Sequence, residues 1–269
     1  MEILAIEPSG SRINRYWRIA GTGFSFTVFG LGAGLLALGL LLVVYPFPIT
    51  RNIKQLWTRR AISAGCGMYI CMMRAMGLLT CQYIDTHKLK SSGQLIVANH
   101  PSLLDVVFLI SLVPDANCVV KAALWKNPFT FGIVSLAGYV RNDREALVER
   151  AAAKIKQGQS LIVFPEGTRT PGNGRMHFKR GAANVALAAS CVITPVLIDC
   201  FPKALQKHHK WYQVPNSPPL FRFNVLSPVV IGNHIDPNRP KPIQVRQLNR
   251  HLEDIFRQKM DSLATERSA

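Results

Sequence analysis

The sequence predicts an α/β fold, a mixed and mostly parallel sheet flanked by helices, preceded by an N-terminal two-helix membrane-anchoring hairpin. Three observations carry this reading. Beyond about residue 82, short aliphatic or β-branched runs alternate with longer helix-like segments, as in a sheet wrapped by crossover helices. No charged residue occurs from Ile19 to Thr50. Across all 269 residues, 32 Lys+Arg stand against 15 Asp+Glu, a net charge of +17, yet 48% of the chain is hydrophobic and only 17% charged. A disordered basic tail would be poor in apolar residues, and an ordinary soluble domain carries roughly 25% charged residues, so neither class fits. The expected division is 1–82 as anchor and interfacial segment and 83–269 as the α/β domain.

Taken in order, Phe24 to Tyr45 is almost wholly Gly, Ala, Leu, Val and Phe. That exceeds the roughly 18–20 apolar residues a bilayer core requires and is too long for a signal-peptide core of roughly 7–15. Arg12, Arg15 and Arg18 precede the run, and Arg51, Lys54, Arg59 and Arg60 follow it. Basic flanks at both ends give no clear orientation for a single span, and favour a hairpin that hugs one face. Pro46 and Pro48 end the first helix. Ala61 to Thr80 is rich in Met, Ile, Leu and Cys but contains Arg74, so it reads as a helix lying in or near the interface.

Strand-like runs follow at Gln94–Ala98, Ala116–Lys121, Tyr139–Arg141, Ser160–Phe164, Cys191–Ile198 and Phe221–Val230. The helices expected between and after them are Ser102–Leu112, Asn127–Leu136, Arg144–Lys156, Arg180–Ala189 and Ile243–Leu263. The six cysteines show no C-x-x-C spacing and read as small hydrophobes in reduced surroundings. His208 and His209, between Lys207 and Lys210, offer no second ligand pair for a metal and read as a solvated basic loop.

Four segments at strand ends are candidates for chemistry. In NHPSLLD, Asn99 to Asp105, His100 and Asp105 are five apart. On a continuous helix that offset leaves them about 140° out of phase. They meet only if the chain turns between them, and Pro101 with Ser102 supplies a turn and then a helix start. Asp105 could then hold one imidazole nitrogen and leave the other as a base. Ser102 and Asp105 also have the spacing of a capping box, in which the carboxylate merely caps the helix. In FPEGTR, Phe164 to Arg169, a carboxylate, a permissive glycine, a hydroxyl and a guanidinium fall at a strand's end, where open α/β sheets place ligand crevices. Arg suits a phosphate because its planar fork makes paired, charge-assisted bonds. The third segment is GYVRNDR, Gly138 to Arg144. The fourth is Val192 to Ile198, where Thr194 and Pro195 interrupt a buried run as candidate site-lining residues, or else mark an edge strand.

In order and spacing these segments resemble the four motifs of the glycerolipid, or lysophosphatidic acid, acyltransferases, the PlsC-like family. The H-x4-D motif matches at His100 and Asp105, the second motif at Gly138, Asp143 and Arg144, F-P-E-G-T-R unchanged at Phe164 to Arg169, and the V-P-V block at Thr194 to Val196. Phe178 to Ala183, FKRGAA, is similar to the family's usual continuation. Arg141 and Asn142 replace two apolar residues of the second motif, which bears on the acceptor's identity. The resemblance implies acyl transfer from acyl-CoA or an acyl carrier protein to the hydroxyl of a lysophospholipid such as 1-acyl-glycerol-3-phosphate. It also implies a His100–Asp105 general base, with Arg144 and Arg169 on the acceptor phosphate and Glu166, Gly167, Thr168 and Pro195 shaping the pocket. No metal or resident cofactor is implied. The expected partners are membrane lipids, the lysolipid and the acyl donor, and the expected location is the membrane, the inner one in a bacterium, with the catalytic domain on the cytoplasmic face. A transacylase using a phospholipid donor and an acyltransferase for a specialised lipid are alternatives. A membrane-tethered nucleic-acid-binding protein is a remote one, because no recognition module is present and the basic residues are scattered, so no nucleic acid is expected as a partner. No G-x-S-x-G elbow supports a serine hydrolase.

Overall fold

The structure is a computed structural model that describes residues 12–142, 146–171 and 176–268. Seven strands form one sheet: β1 (Thr80–Ile84), β2 (Leu95–Ala98), β3 (Asn117–Val120), β4 (Val140–Arg141), β5 (Leu161–Val163), β6 (Ile193–Phe201) and β7 (Leu220–Val225). Their order is β1-β7-β6-β2-β5-β3-β4, and every pairing is parallel except β6 with β7. Central parallel strands are covered on both faces, which is why β2 reads LIVA with no polar alternation and is fully buried.

Helices α1 (Arg12–Val43) and α2 (Arg51–Ala75) precede the sheet; α3 (Asp105–Leu112), α4 (Ala122–Lys126), α5 (Pro128–Ala137), α6 (Leu147–Lys156), α7 (Gly181–Ala189) and α8 (Lys241–Ser268) follow. Two apolar layers sandwich the sheet. One packs Ile96, Ala98, Val196 and Ile198 under residues of α2, α3 and α5. The other packs Leu95, Val97, Ile193 and Leu197 under α6, α7 and α8. The period-2 alternation of β2 and β6 divides their side chains between the layers.

The expected elements are present with shifted ends, and two were missed. β1 has a largely exposed pattern without apolar alternation, so its sequence carries no strand signal. The five-residue α4 is too short for a periodic one. The second N-terminal helix starts ten residues before the expected Ala61 and is a wall of the core, burying Ile62, Cys66, Tyr69, Ile70 and Met73. Arg59 is buried with it, donating to the carbonyls of Asp115 (3.1 Å) and Ala137 (3.2 Å).

Asn14–Val43 is long and apolar enough to cross a membrane. One side of α1 lies along the domain. Phe29 meets Tyr69 edge to face at 5.3 Å, and the Tyr45 hydroxyl, just past the helix, donates to the Leu136 carbonyl at 3.0 Å. A Cβ on Gly132 of α5 would come within 3.2 Å of Ala37. The opposite side exposes Phe24, Leu31, Leu35, Leu38 and Leu42, an apolar stripe at helical spacing.

Candidate active site

The site forms where β2 and β5 end side by side, between neighbours that depart to opposite sides of β2, the place where open α/β sheets bind ligands. Asn99, the first residue past β2, clamps that end to β6: its side chain donates to the Ile198 carbonyl (2.8 Å) and accepts the Ile198 N–H (2.7 Å). The chain then turns at Pro101 and Ser102 and enters α3. The turn brings His100 and Asp105 together, with His100 Nδ1 2.9 Å from Asp105 Oδ2.

The same Oδ2 accepts the Ser102 backbone N–H at 2.7 Å. The capping contact and the imidazole contact therefore coexist on one oxygen. Asp105 is fully buried, and Oδ1 has no hydrogen-bond partner among the described residues. Burial pushes its carboxyl up, against the pull of the His100 and Ser102 hydrogen bonds and the Arg169 charge. The imidazole stacks on Phe164 at 4.4 Å between centroids, so one ring face is fixed and Nε2 is left free of the carboxylate.

The turn after β5 grips the backbone of His100. Glu166 Oε1 accepts the His100 N–H at 3.1 Å and the Thr170 hydroxyl at 2.6 Å, while the Thr170 N–H donates to the His100 carbonyl at 2.7 Å. Burial pushes the Glu166 carboxyl up, and these two donors oppose it. Gly167 takes φ +67°, a conformation that favours glycine, and a Cβ there would lie 3.1 Å from Lys179 Nζ, so a side chain would also push the end of Lys179 aside. Thr168 is half-buried on the same turn. Arg169 sends Nη1 to the carbonyls of Leu205 (2.8 Å) and Gln206 (2.9 Å). It also lines a cavity of about 630 Å³ with Leu103, Leu205, His209, Trp211 and, from α1, Gly23 and Phe26.

The structure thus brings together His100, Asp105, Glu166, Gly167 and Arg169. Arg144 lies outside the described residues. Thr194 and Pro195 are not brought to the cavity: both are buried in β6, Thr194 bonded to the Gln94 side chain and Pro195 in register with Val97. Sequence reasoning missed Asn99, Phe164 as a stacking partner, and Thr170. The available signal was position alone: Asn99 and Phe164 open the two segments, and Thr170 directly follows the second.

The Acyltransferase family profile matches residues 81–199, the segment that holds the His100–Asp105 contact and the β5 turn. A 1-acyl-sn-glycerol-3-phosphate acyltransferase of Helicobacter pylori is 27% identical over 235 residues, covering 82% of this chain and 89% of that protein. The chain is similar to the PlsC-like acyltransferases in sequence and in fold. The mouse 1-acyl-sn-glycerol-3-phosphate acyltransferase alpha is 30% identical over 145 residues, half of this chain and 49% of the mouse protein. The crystal structure of PlsC, the 1-acyl-sn-glycerophosphate acyltransferase from Thermotoga maritima, superposes with a TM-score of 0.72 over 94% of this chain and 97% of that chain, at 18% identity, and so has the same fold.

Proposed function

We propose that this O-acyltransferase moves a fatty acyl group from acyl-CoA or an acyl carrier protein to the free hydroxyl of 1-acyl-glycerol-3-phosphate or a related lysophospholipid. The observation that carries the reading is the His100–Asp105 contact at 2.9 Å on a backbone gripped by the β5 turn. His100 Nε2 removes the hydroxyl proton as the oxygen attacks the thioester carbonyl, and Asp105 stabilises the resulting imidazolium. When the tetrahedral intermediate collapses, the C–S bond breaks and the thiolate takes the proton from His100, so no acyl-enzyme is needed. A thioester is already activated, and positioning two amphiphiles in line supplies much of the remaining acceleration.

Arg169 is suited to the acceptor phosphate from its place on the cavity wall, and Glu166, Gly167 and Thr168 shape the turn that presents it. Arg144 is assigned the same phosphate through the family motif. The exposed stripe of α1 supports a monotopic attachment, with the helix lying in one leaflet and its inner side on the domain. The basic balance of the chain favours an anionic, cytoplasmic leaflet.

The test is lipid mass spectrometry of the detergent-solubilised protein with a panel of lysolipids and with acyl-CoA, acyl carrier protein or intact phospholipid as donor. Thioester-dependent formation of a diacyl product, abolished in a folded His100→Ala variant, is expected. Product formation by that variant at the wild-type rate overturns the mechanism, and transfer only from phospholipid assigns a transacylase instead.

A further inference from the structure

Between β6 and β7 the chain makes a loop whose two ends are tied down by guanidinium groups. Arg169 holds the Leu205 and Gln206 carbonyls at the near end. At the far end Arg18 of α1, almost fully buried, donates to the carbonyls of Pro215 (3.2 Å) and Asn216 (2.6 Å). A third tie is steric. Trp211 packs on the backbone of α1 at Gly23, where a Cβ would come within 3.0 Å of its ring. The loop is therefore fixed between the candidate active site and the apolar helix.

Its tip is exposed from Lys207 to Gln213. It combines Lys207, His208, His209 and Lys210 with Trp211 and Tyr212, which stay 49% and 43% exposed although they pack on each other at 5.6 Å. Keeping two large aromatic rings half in water costs free energy that a soluble domain would ordinarily recover by burial. No Asp or Glu occurs between Asp199 and Asp236, so nothing acidic within the segment balances these lysines. Gly23, on which Trp211 rests, directly precedes Phe24, the first residue of the exposed stripe of α1. Successive helix residues point about 100° apart, so the aromatic tip sits on the flank of α1 beside the N-terminal end of the stripe.

We infer that the loop from Leu205 to Asn216 is a second membrane-binding element, which seats Trp211 and Tyr212 at headgroup level and sets Lys207 and Lys210 against the phosphates of an anionic bilayer. Amphipathic aromatic rings favour that depth, and lysines near an anionic surface gain from its potential. The loop also borders the cavity through Leu205, His209 and Trp211, so seating it brings the cavity mouth to the lipid surface. The inference rests on the membrane placement of α1 proposed above, but its test reads lipid contact without any acyl transfer.

A variant with Trp17, Trp57 and Trp125 replaced by Phe leaves Trp211 as the only tryptophan. It is reconstituted in phosphatidylcholine bilayers with and without phosphatidylglycerol, containing lipids brominated either near the headgroup end or near the terminal methyl of the acyl chain. Trp211 fluorescence is expected to be quenched strongly by the shallow label and weakly by the deep one. Lys207→Glu with Lys210→Glu should abolish the increase in quenching that phosphatidylglycerol brings. Should the triple replacement fail to fold, hydrogen exchange on the unmodified chain in nanodiscs replaces it, with protection of residues 206–213 expected to rise when the lipid is anionic. Absence of shallow quenching, or unchanged exchange, in a sample that still converts lysolipid overturns the inference and leaves the enzymatic reading standing. If the two charge reversals slow transfer from acyl carrier protein alone, with no lipid contact at Trp211, the surface belongs to that acidic protein instead.

Discussion

Replacing Asp105 by Asn separates a helix cap from a catalytic partner, because both contacts converge on one oxygen. Oδ2 accepts from His100 Nδ1 at 2.9 Å and from the Ser102 N–H at 2.7 Å. An Asn that turns its amide oxygen to these donors keeps both bonds and loses only the charge. Its NH2 then occupies the position of Oδ1, which is buried without a partner, and stranding those donors costs about 1–3 kcal/mol. The opposite rotamer sets NH2 against two N–H donors and forfeits both bonds, so the first is favoured. A melting point lower by several degrees is therefore expected, with the fold retained. The missing charge matters most when His100 holds the substrate's proton, and loss of the carboxylate in comparable triads lowers turnover by about 10⁴. Thermal unfolding in detergent, together with initial rates over a range of lysolipid and donor concentrations, should show a modest stability loss and a fall in kcat of about 10²–10⁴ with KM little changed. A variant that melts early but turns over at the wild-type rate would reduce Asp105 to a cap and refute the dyad.

Thr170→Val removes the hydroxyl from Glu166 Oε1 in a buried setting and should cost about 1–3 kcal/mol, while Thr170→Ser should restore most of it; chemical unfolding checks both. Gly167→Ala forces a side chain into φ +67° and displaces Lys179, for an expected loss of about 1–2 kcal/mol, and Gly167→Asn, better tolerated at that φ, should lose less by the same measurement. Because burial raises the Glu166 carboxyl, its stabilising contribution is complete below the ordinary carboxylate value of about 4.3 and is lost as pH rises through the higher folded value. Melting points taken across pH should therefore fall more steeply with rising pH through that window in the wild type than in Glu166→Gln; equal slopes would remove Glu166 from the account.

The meeting of His100 and Asp105 was legible because it depends on local chain geometry: a Pro-Ser turn after an apolar strand leaves few other arrangements. The sheet was legible for the same reason in its centre, where LIVA and SLIVF have to be covered on both faces. What the sequence hid were contacts between distant segments. Thr170 stands one residue beyond FPEGTR, and nothing local marks it as a partner of the His100 backbone 70 positions away. Thr194 and Pro195 were read as site-lining because they interrupt an apolar run, yet the alternation of β6 turns Pro195 to the same face as Ile193 and Leu197, into the layer beneath α6, α7 and α8. In α2, buried polar residues such as Gln55, Thr58 and Arg59 blur the apolar periodicity, so a core wall reads as an interfacial helix.

The surplus of positive charge has a narrower use than the composition suggests, and Arg169 illustrates how it is divided. A guanidinium carries five N–H donors, two of them on Nη1. Those two face the carbonyls of Leu205 and Gln206, so that part of the side chain fixes the loop that borders the cavity. Nε and Nη2 keep three donors, enough for a paired bond to one phosphate and too few to serve two anions with that geometry. Part of the fork therefore builds the wall, and in the proposed reading the remaining donors serve the acceptor phosphate. A lysine, with one nitrogen on a flexible stem, cannot do both at once. Arg18 and Arg59 turn donors to backbone carbonyls as well, and so hold α1 and α2 to the domain. The charge that attracts an anionic surface is thus carried by exposed lysines such as Lys207 and Lys210, while the buried arginines fix the geometry of the site those lysines bring to it.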